Sequence, residues 1–306
     1  MAEIELRGLS GTNPLGFMAA LGVQVAFESE SHAPALRWAD GVVPTACVSA
    51  ELDLEDIVEQ VLATVDRWAT EPALNPEPAA NDVKFPAAEI RHYLQQAADT
   101  SSGRLAMALV AEGSLDAVTG KVAKPTDFHF TAGRQLFLRM ARQVFADVTA
   151  EEITSALCGP WRYDSTSPSL RWDVADDRAY ALSAFDPTDN TNNPKLTNPG
   201  AECLALLGLC MFPAFVGTGK TATTGCSGTW RDGAFSWPLW ARPASPRLVR
   251  TFVAQIGKGC LEDRRKTLAL PSLGVFRIME SAIRRNDRAM GLANFGPPQV
   301  IWRRDE

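Results

Sequence analysis

Apolar residues near the start of the chain first alternate with polar ones and then recur at helical spacing. Residues 4–9 alternate and predict a strand, which a polar turn follows. Asn13 is a favourable N-cap residue and Pro14 suits the first helical position, so a helix is predicted from there. Gly16 and Gly22 within this helix each lower its stability by about 1 kcal/mol relative to alanine. Two such glycines in one short helix predict that another backbone packs closely against it, as in a core helix under a sheet.

Similar patterns predict the other elements of the N-terminal half. Segment 35–43 predicts a hairpin with Asp40-Gly41 at its turn, and residues 52–68 carry apolar positions at helical spacing. Residues 70–82 are rich in proline and small polar residues, which is typical of a loop. Further helices are predicted over these ranges: 86–99, 105–118, 131–148 and 149–158.

The C-terminal half contains some segments with the periodicity of a helix and others with that of a strand. Polar residues 185–199 predict a long exposed loop, and residues 221–240 predict a β-hairpin with Arg231-Asp232-Gly233 near its turn. Helices are predicted over 201–212, 245–256 and 273–288. Helices and strands without regular alternation indicate an α+β fold of mixed helices with short antiparallel sheets and hairpins. We expect one domain, or two: an N-terminal α+β region, 1–160, and a C-terminal α+β region, 161–306, with a basic helical end.

The composition is that of a globular protein, with 46% hydrophobic and 22% charged residues. No apolar run approaches the roughly 18 residues that span a bilayer. No basic segment precedes an apolar one near residue 1, which argues against a signal peptide. We therefore expect a cytoplasmic protein that does not bind membranes.

The net charge of −6 conceals an uneven distribution. Of the 30 basic and 36 acidic residues, 14 and 7 lie in 231–306, which gives that segment a charge of +7. Residues 1–230 keep 16 basic and 29 acidic residues, a charge of −13. This division indicates either that the C-terminal quarter faces a polyanion or an acidic partner, or that it docks on the acidic body.

The cysteines and histidines of the chain give little support for a metal site or for nucleophilic catalysis. The three histidines and six scattered cysteines form no C-x-x-C pair, which favours buried, reduced thiols and predicts no zinc site or other cofactor. No histidine lies near a nucleophile motif, which favours structural roles for the histidines. We expect a protein that is not an enzyme. The alternative is a metal-dependent hydrolase that uses the acidic region Asp164–Asp189. That region contains Asp164, Asp173, Asp176, Asp177, Asp186 and Asp189.

Residues 214–221, AFVGTGKT, satisfy a relaxed phosphate-loop pattern in which alanine replaces the first glycine. Such a loop needs a strand before it and a helix directly after it, because the helix N-terminus and backbone N–H groups hold the phosphates. Here a predicted helix precedes the pattern, and the residues after it disfavour a helix. The segment is therefore not predicted to bind a nucleotide.

The predicted helix 131–148 carries arginines on one side. Arg134, Arg139 and Arg142 lie opposite its broad apolar side, where they face either phosphate groups or solvent.

A second group of basic residues lies near the C-terminus. Arg277, Arg284 and Arg288 are separated by seven and four residues, which places them near one face of the predicted helix 273–288. Such a row suits contact with a phosphate backbone, and Phe295 and Trp302 are candidate stacking surfaces. The complete set of predicted nucleic-acid contacts is Arg134, Arg139, Arg142, Arg264, Arg265, Lys266, Arg277, Arg284, Arg285 and Arg288.

Several blocks of the chain are similar to those of a known family. Residues 8–24, GLSGTNPLGFMAALGVQ, resemble the opening of large-subunit-type proteins of type I-G (formerly I-U) CRISPR surveillance complexes. Those proteins begin with a similar strand, a Pro-Leu turn and an ALGV helix. The blocks FTAGRQ at 130–135, PSLRWD at 168–173 and WPLW at 237–240 are similar to blocks of the same group. The resemblance extends over most of the chain but consists of short blocks.

This resemblance implies a non-catalytic subunit of an RNA-guided antiviral complex. Such a subunit binds the foot of the guide RNA assembly, helps to recognise a short duplex motif beside the target and supports strand separation, while a recruited helicase-nuclease cuts. Its partners would be other CRISPR effector subunits, guide RNA and target DNA. Under this interpretation, the loop Ser10–Asn13 or the segment 188–198 would approach a groove.

Two questions stay open at this stage. The chain is short for a large subunit of this type, so it represents either a reduced version or a different small subunit of the same system. A protein-interaction scaffold without nucleic-acid binding is a further alternative.

Overall fold

Two antiparallel sheets, a separate hairpin and the helices packed against them make up the fold. The structure, a computed structural model, describes residues 2–27, 33–131, 135–174, 196–217, 220–229, 231–285 and 293–304. The strands are β1 (Ala2–Ser10), β2 (Ala35–Ala39), β3 (Thr45–Ala50), β4 (Ala214–Gly217), β5 (Lys220–Thr223), β6 (Cys226–Ser227), β7 (Ala234–Trp240), β8 (Val275–Arg285), β9 (Ala293–Phe295) and β10 (Gln299–Arg303). The helices are α1 (Pro14–Ala26), α2 (Leu54–Trp68), α3 (Ile90–Ala98), α4 (Gly103–Leu109), α5 (Phe137–Asp147), α6 (Ala150–Cys158), α7 (Pro199–Gly208), α8 (Pro246–Gln255) and α9 (Arg264–Ala269). The α+β prediction is confirmed.

The first sheet has the strand order β1-β3-β2, and both pairs are antiparallel. The predicted hairpin at 35–43 forms between β2 and β3, but its second strand begins only at Thr45. Val42 and Val43 therefore lie in the connecting loop, where the Val42 side chain is 96% exposed.

The second sheet has the order β10-β8-β7-β6, with β9 also paired to β8. The helix predicted at 273–288 is wrong, because residues 275–285 form strand β8 in the middle of this sheet. A short apolar run that is buried on both faces has no periodicity that separates helix from strand. Here β8 gains hydrogen-bonded partners on both sides, β7 and β10, and this long-range pairing determines its conformation.

Helix α1 crosses helix α7 at the centre of the molecule, and every residue of both helices is buried. The predicted N-cap is confirmed, since Asn13 Oδ1 accepts a hydrogen bond from the Leu15 N–H at 2.9 Å and Pro14 opens the helix. The predicted close approach of another backbone is confirmed too. A Cβ atom at Gly22 would overlap the carbonyl oxygen of Leu204 in α7.

Several other helices differ in length from their predictions. Helix α4 ends at Leu109, so the predicted helix is wrong for 110–118, which form irregular structure with an isolated bridge from Leu115 to Ala123. Helix α5 begins at Phe137 rather than Thr131, because Leu136 has extended backbone angles. The helices predicted at 52–68 and 149–158 are confirmed as α2 and α6.

Aromatic side chains fill the space between the two sheets. The ring of Phe17 in α1 stacks on Trp38 with centroids 5.7 Å apart, and it also contacts the edge of Trp240. In the second sheet, Phe235 stacks on Trp237 at 4.9 Å. One cluster of buried side chains contains residues from both sides of the predicted boundary at 160/161.

The described residues of the segment that matches the relaxed phosphate-loop pattern lie on two antiparallel strands. Residues Ala214–Gly217 form β4 and pair with β5, Lys220–Thr223. Strand β5 occupies the position where a phosphate loop requires a helix N-terminus. The arrangement therefore differs from that of a phosphate loop.

Candidate nucleic-acid interface

Basic side chains converge at one end of the second sheet. Strand β7 runs into Arg242, α9 leads into the start of β8, and β10 ends at Arg303. Because neighbouring strands are antiparallel, these three points lie at the same end. The exposed side chains there are Arg242, Arg264, Arg265, Lys266, Arg303 and Arg304, and we call this group the basic end of the sheet.

Helix α9 supplies three cations of the basic end. Asp263 caps it, since Asp263 Oδ1 accepts a hydrogen bond from the Arg265 N–H at 2.9 Å. None of the six residues of α9 is buried, so Arg264, Arg265 and Lys266 all reach solvent as predicted. A basic helix that buries none of its own side chains exposes its charge to any polyanion that approaches.

Two hydrogen bonds connect Arg242 and Arg304 of the basic end to residues near the start of β8. Arg242 donates from Nη1 to the carbonyl oxygen of Ser272 at 3.5 Å, in the turn between α9 and β8. The Arg304 N–H donates to the carbonyl oxygen of Phe276 at 3.0 Å. Sequence reasoning missed Arg242, Arg303 and Arg304, although the charge count of 231–306 included them.

The described C-terminal part of the chain has many more basic than acidic residues. Within the described ranges 240–285 and 293–304, the basic residues are Arg242, Arg247, Arg250, Lys258, Arg264, Arg265, Lys266, Arg277, Arg284, Arg285, Arg303 and Arg304. The acidic residues of the same ranges are Glu262, Asp263 and Glu280. Of these three, Glu280 pairs with Lys258 at 3.4 Å and Asp263 caps α9. This part of the chain therefore has an excess of positive charge, although Arg284 and Arg285 lie at the opposite end of β8 from the basic end of the sheet.

The predicted row of arginines on one helical face is wrong, because Arg277 and Arg284 lie on a strand. Successive side chains of β8 point to opposite faces of the sheet. An odd separation therefore places Arg277 and Arg284 on opposite faces. Arg284 is exposed, whereas Arg277 is buried at 6% exposure. Arg288, the third member of the row, lies outside the described residues.

The Arg285 side chain contacts residues of the protein's own fold rather than lying free on the surface for a nucleic acid. Its Nη2 donates to the carbonyl oxygen of Asp127 at 3.3 Å, and its guanidinium lies 5.9 Å from the centroid of the Phe130 ring. Burial lowers the pKa of this guanidinium, although the negative charge of Asp127 opposes that effect. Such contacts assign Arg285 to the interior of the fold.

The two described arginines of α5 differ in their surroundings. Arg142 donates to the carbonyl oxygens of Leu74 and Ala80 at 2.6 and 3.2 Å, and to Asn81 Oδ1 at 2.7 Å. It fixes the loop 70–82 on α5, whereas Arg139 is exposed. Arg134 lies outside the described residues.

The candidate stacking residues also separate into two classes. Phe295 is completely buried, and its ring lies 4.8 Å from Phe130 and 5.7 Å from Phe235, so its prediction as a surface for bases is wrong. Trp302 is half-buried on β10, next to Arg303.

The loop Ser10–Asn13 is tied into the fold by polar contacts. Ser10 and Thr12 share a hydrogen bond between their hydroxyl groups at 2.8 Å. Asn13 Nδ2 donates to Asp173 Oδ1 at 2.9 Å, and the Tyr163 hydroxyl donates to Asp173 Oδ2 at 2.8 Å. The other candidate for a groove, 188–198, lies outside the described residues apart from 196–198.

The proposed hydrolase carboxylates give no metal site in the part of the chain that is described. Asp164 is exposed, and Asp173 is buried among the polar contacts just given. Within the described ranges, no group of three or more His, Cys, Asp or Glu side chains is arranged to hold a metal ion. Asp176, Asp177, Asp186 and Asp189 lie outside those ranges.

The six cysteines are free thiols. Four are buried as predicted, and burial raises the pKa of Cys203 and Cys210, which keeps both protonated. The prediction is wrong for Cys158, which is exposed.

No family model matches the chain, and no curated protein sequence is significantly similar to it. Among the described helices, none combines the length and apolar character that crossing a membrane requires.

Proposed function

We propose that this protein is a non-catalytic subunit of an RNA-guided surveillance complex of the CRISPR type. In this proposal, the basic end of the sheet contacts the phosphate backbone of guide RNA or target DNA. The observation that carries it is the convergence of six exposed cations from β7, α9 and β10 on one end of an otherwise acidic chain.

The charge of this surface supports contact with the phosphate backbone of a nucleic acid rather than with its bases. Lysine and arginine side chains bind phosphates without base specificity and release counterions as they do so. In an RNA-guided complex, base pairing reads the sequence, and protein contacts hold the backbone. A chain with pI near 5.3 suits a subunit that contributes one basic face to a larger assembly.

The resemblance to type I-G subunits supports the family part of the proposal. Its longest block, 8–24, forms the end of β1 and most of α1, so the similarity concerns the core of the fold. The cations of the basic end lie outside the four similar blocks, and their role rests on charge and exposure alone.

The first test is to purify the tagged protein together with the products of its neighbouring genes. The ratio of absorbance at 260 and 280 nm and sequencing of any bound RNA are the measurements. A uniform short RNA with partner proteins supports the proposal, and a complex free of nucleic acid contradicts it.

Charge reversal then tests the surface itself. The variant Arg264→Glu/Arg265→Glu/Lys266→Glu should weaken binding to all nucleic-acid sequences alike. The slope of log affinity against log salt should fall by about 0.9 for each duplex phosphate contact that is lost. A matched control reverses Arg7, Arg67 and Arg91, which are exposed on other surfaces. Equal effects of the two triple variants would show that the basic end has no special role.

A second candidate function is a protein-interaction scaffold. Met107 of α4 and the β4 residues Phe215 and Val216 are 49%, 48% and 43% exposed, which is unusual for large apolar side chains on neighbouring elements. Recovery of partner proteins without nucleic acid would favour this function.

A further inference from the structure

Trp302 differs from the other tryptophans of the second sheet in its exposure. Trp237 and Trp240 of β7 are completely buried, and their indole N–H groups donate to the carbonyl oxygens of Gly11 and Leu36 at 2.8 and 2.7 Å. Trp302 of β10 is only half-buried. Its indole nitrogen donates to no acceptor among the described residues and is not buried. Part of this ring therefore faces solvent.

The position of β10 in the sheet leaves one side of Trp302 open. Strand β10 is the first in the order β10-β8-β7-β6, and Trp302 is the cross-strand partner of Ile278 in β8. Within the part of the chain that is described, no strand pairs with β10 on its other side. Trp302 packs against the buried core, so its exposed part lies at the open edge of the sheet.

Exposed cations lie close to Trp302 in the sequence and in the sheet. Arg304 follows it by two residues, and the Arg304 N–H donates to the carbonyl oxygen of Phe276 in β8 at 3.0 Å. Ile278, opposite Trp302, is the fourth residue of β8 and lies about 10 Å along the strand from its start. Helix α9, with its three exposed cations, leads into that start. An aromatic ring beside positive charge is complementary to a nucleic acid, which offers flat bases and phosphates.

The ring favours a single strand over a duplex. In a duplex, each base is paired and lies between its stacked neighbours, so its faces are covered. The bases of a single strand can separate from each other and stack on aromatic side chains. Such stacking reads no sequence, because every base has a π-face, and it adds to the backbone contact proposed above.

We propose that the basic end of the sheet binds single-stranded nucleic acid, with one base stacked on the exposed part of the Trp302 indole. Arg304 and the cations of α9 bind neighbouring phosphates. The stacking site rests on the proposed function and narrows it, because the ligand is an unpaired strand. Two other roles for Trp302 are packing against the core alone and contact with an apolar surface of a partner protein.

The test removes the indole and keeps an apolar side chain against the core. Trp302→Leu has no aromatic ring, whereas Trp302→Phe retains one. The control is Trp161→Leu, because Trp161 is likewise half-buried and packed against the core, but its indole N–H donates to Ala156 of α6. Melting temperatures check that the three variants fold.

The measurement is the affinity of the full-length protein for three fluorescent probes with the same number of phosphates. They are a single-stranded RNA of mixed sequence, the same strand with abasic sites in place of its bases, and a blunt-ended duplex. Each affinity is measured at several salt concentrations.

The stacking site predicts an effect on one probe only. Trp302→Leu should weaken binding to the intact single strand about tenfold, as expected for the loss of one stacked base. Binding to the abasic strand and to the duplex should not change, since neither offers an unpaired base. Trp302→Phe should retain most of the affinity, and Trp161→Leu should retain all of it. The slope of log affinity against log salt should stay the same in Trp302→Leu, because no phosphate contact is lost.

The outcomes separate the stacking site from the proposed function. Binding of all three probes that Trp302→Leu leaves unaltered retains the function and overturns the stacking site. An equal loss for all three probes, or the same loss in Trp161→Leu, would show that Trp302 only packs against the core. Loss of a co-purified partner protein with unchanged affinity for the probes would assign Trp302 to a protein interface instead. Wild-type protein that binds none of the probes would contradict both the stacking site and the nucleic-acid contact of the proposed function.

Discussion

Gly22 and Gly208 lie against each other where α1 crosses α7. A Cβ atom at Gly208 would be 2.9 Å from the Gly22 nitrogen and would overlap the carbonyl oxygen of Met18. A Cβ atom at Gly22 would be 3.2 Å from the Gly208 nitrogen. The two helix backbones can approach this closely because neither helix has a side chain at the crossing.

We expect Gly22→Ala to destabilise the protein by about 1–3 kcal/mol or more, even though alanine favours a helix. The methyl group meets backbone atoms of α7, which move only if the helices separate, and overpacking of this kind outweighs helix propensity. The free energy of unfolding from denaturant titration measures the change. The control is Gly259→Ala, since a Cβ atom there meets nothing within 4 Å. Equal stability of the two variants would contradict the close crossing.

Glu202 is a completely buried carboxylate that joins α7 to two other segments. It accepts hydrogen bonds from Ser169 Oγ at 2.7 Å, from the Leu170 N–H at 3.1 Å and from Thr197 Oγ1 at 3.3 Å. Glu202→Gln places an amide NH₂ among donors, and we expect a loss of about 1–3 kcal/mol in the free energy of unfolding. The exposed Glu59→Gln in α2 serves as the control. A loss below 0.5 kcal/mol for Glu202→Gln, as for an ordinary surface change, would show that these contacts contribute little.

Local signals explain which parts of the fold the sequence predicts. Helix α1 has Asn13 and Pro14 at its start, and the structure has the same cap. Strand β8 has no comparable local signal, because its conformation depends on pairing with β7 and β10, which lie elsewhere along the chain. Its apolar run with arginines at helical intervals fits a helix equally well, so only the pairing with neighbouring strands makes this segment a strand.

The same limit applies to the candidate interface. The cluster at Arg264, Arg265 and Lys266 is contiguous and polar, so its exposure follows from the sequence. The pairing of Arg277 with Arg303 depends on one extra residue in β10. No periodicity shows where a bulge will shift the register, and this relationship could not be predicted from sequence.

Asp82 should make stability depend on pH in the acid range. Burial raises the pKa of Asp82. The His129 Nε2 lies 2.8 Å from Asp82 Oδ1, and the Val83 N–H donates to the same oxygen. These hydrogen bonds and the charge of His129 outweigh burial and leave the pKa of Asp82 below its usual range. A carboxyl group with a lowered pKa in the folded state stabilises the protein above the unfolded-state pKa of about 4. That contribution is lost as the pH falls through the lower folded-state pKa.

Unfolding free energies between pH 7 and pH 3 measure this effect. Asp82→Asn should be less stable than the wild type at pH 7 by about 1–3 kcal/mol, and the difference should shrink as the pH falls below about 4. The exposed Asp66→Asn should leave the pH profile unchanged. A constant difference between wild type and Asp82→Asn over the whole range would exclude linkage through this carboxylate.

Arg142 and Arg139 lie on the same helix, and their different contacts give them separable roles. Arg142→Met keeps the apolar stem but removes the donors to Leu74, Ala80 and Asn81, which leaves acceptors of the 70–82 loop without partners. We expect it to lower the free energy of unfolding by about 1–3 kcal/mol while nucleic-acid affinity stays unchanged. Arg139→Met should change stability by less than about 0.5 kcal/mol, as is usual for exposed positions. Any fall in affinity in that variant would therefore report a direct phosphate contact from α5. Full stability of Arg142→Met would instead show that the arginine is available to a ligand and does not hold the loop.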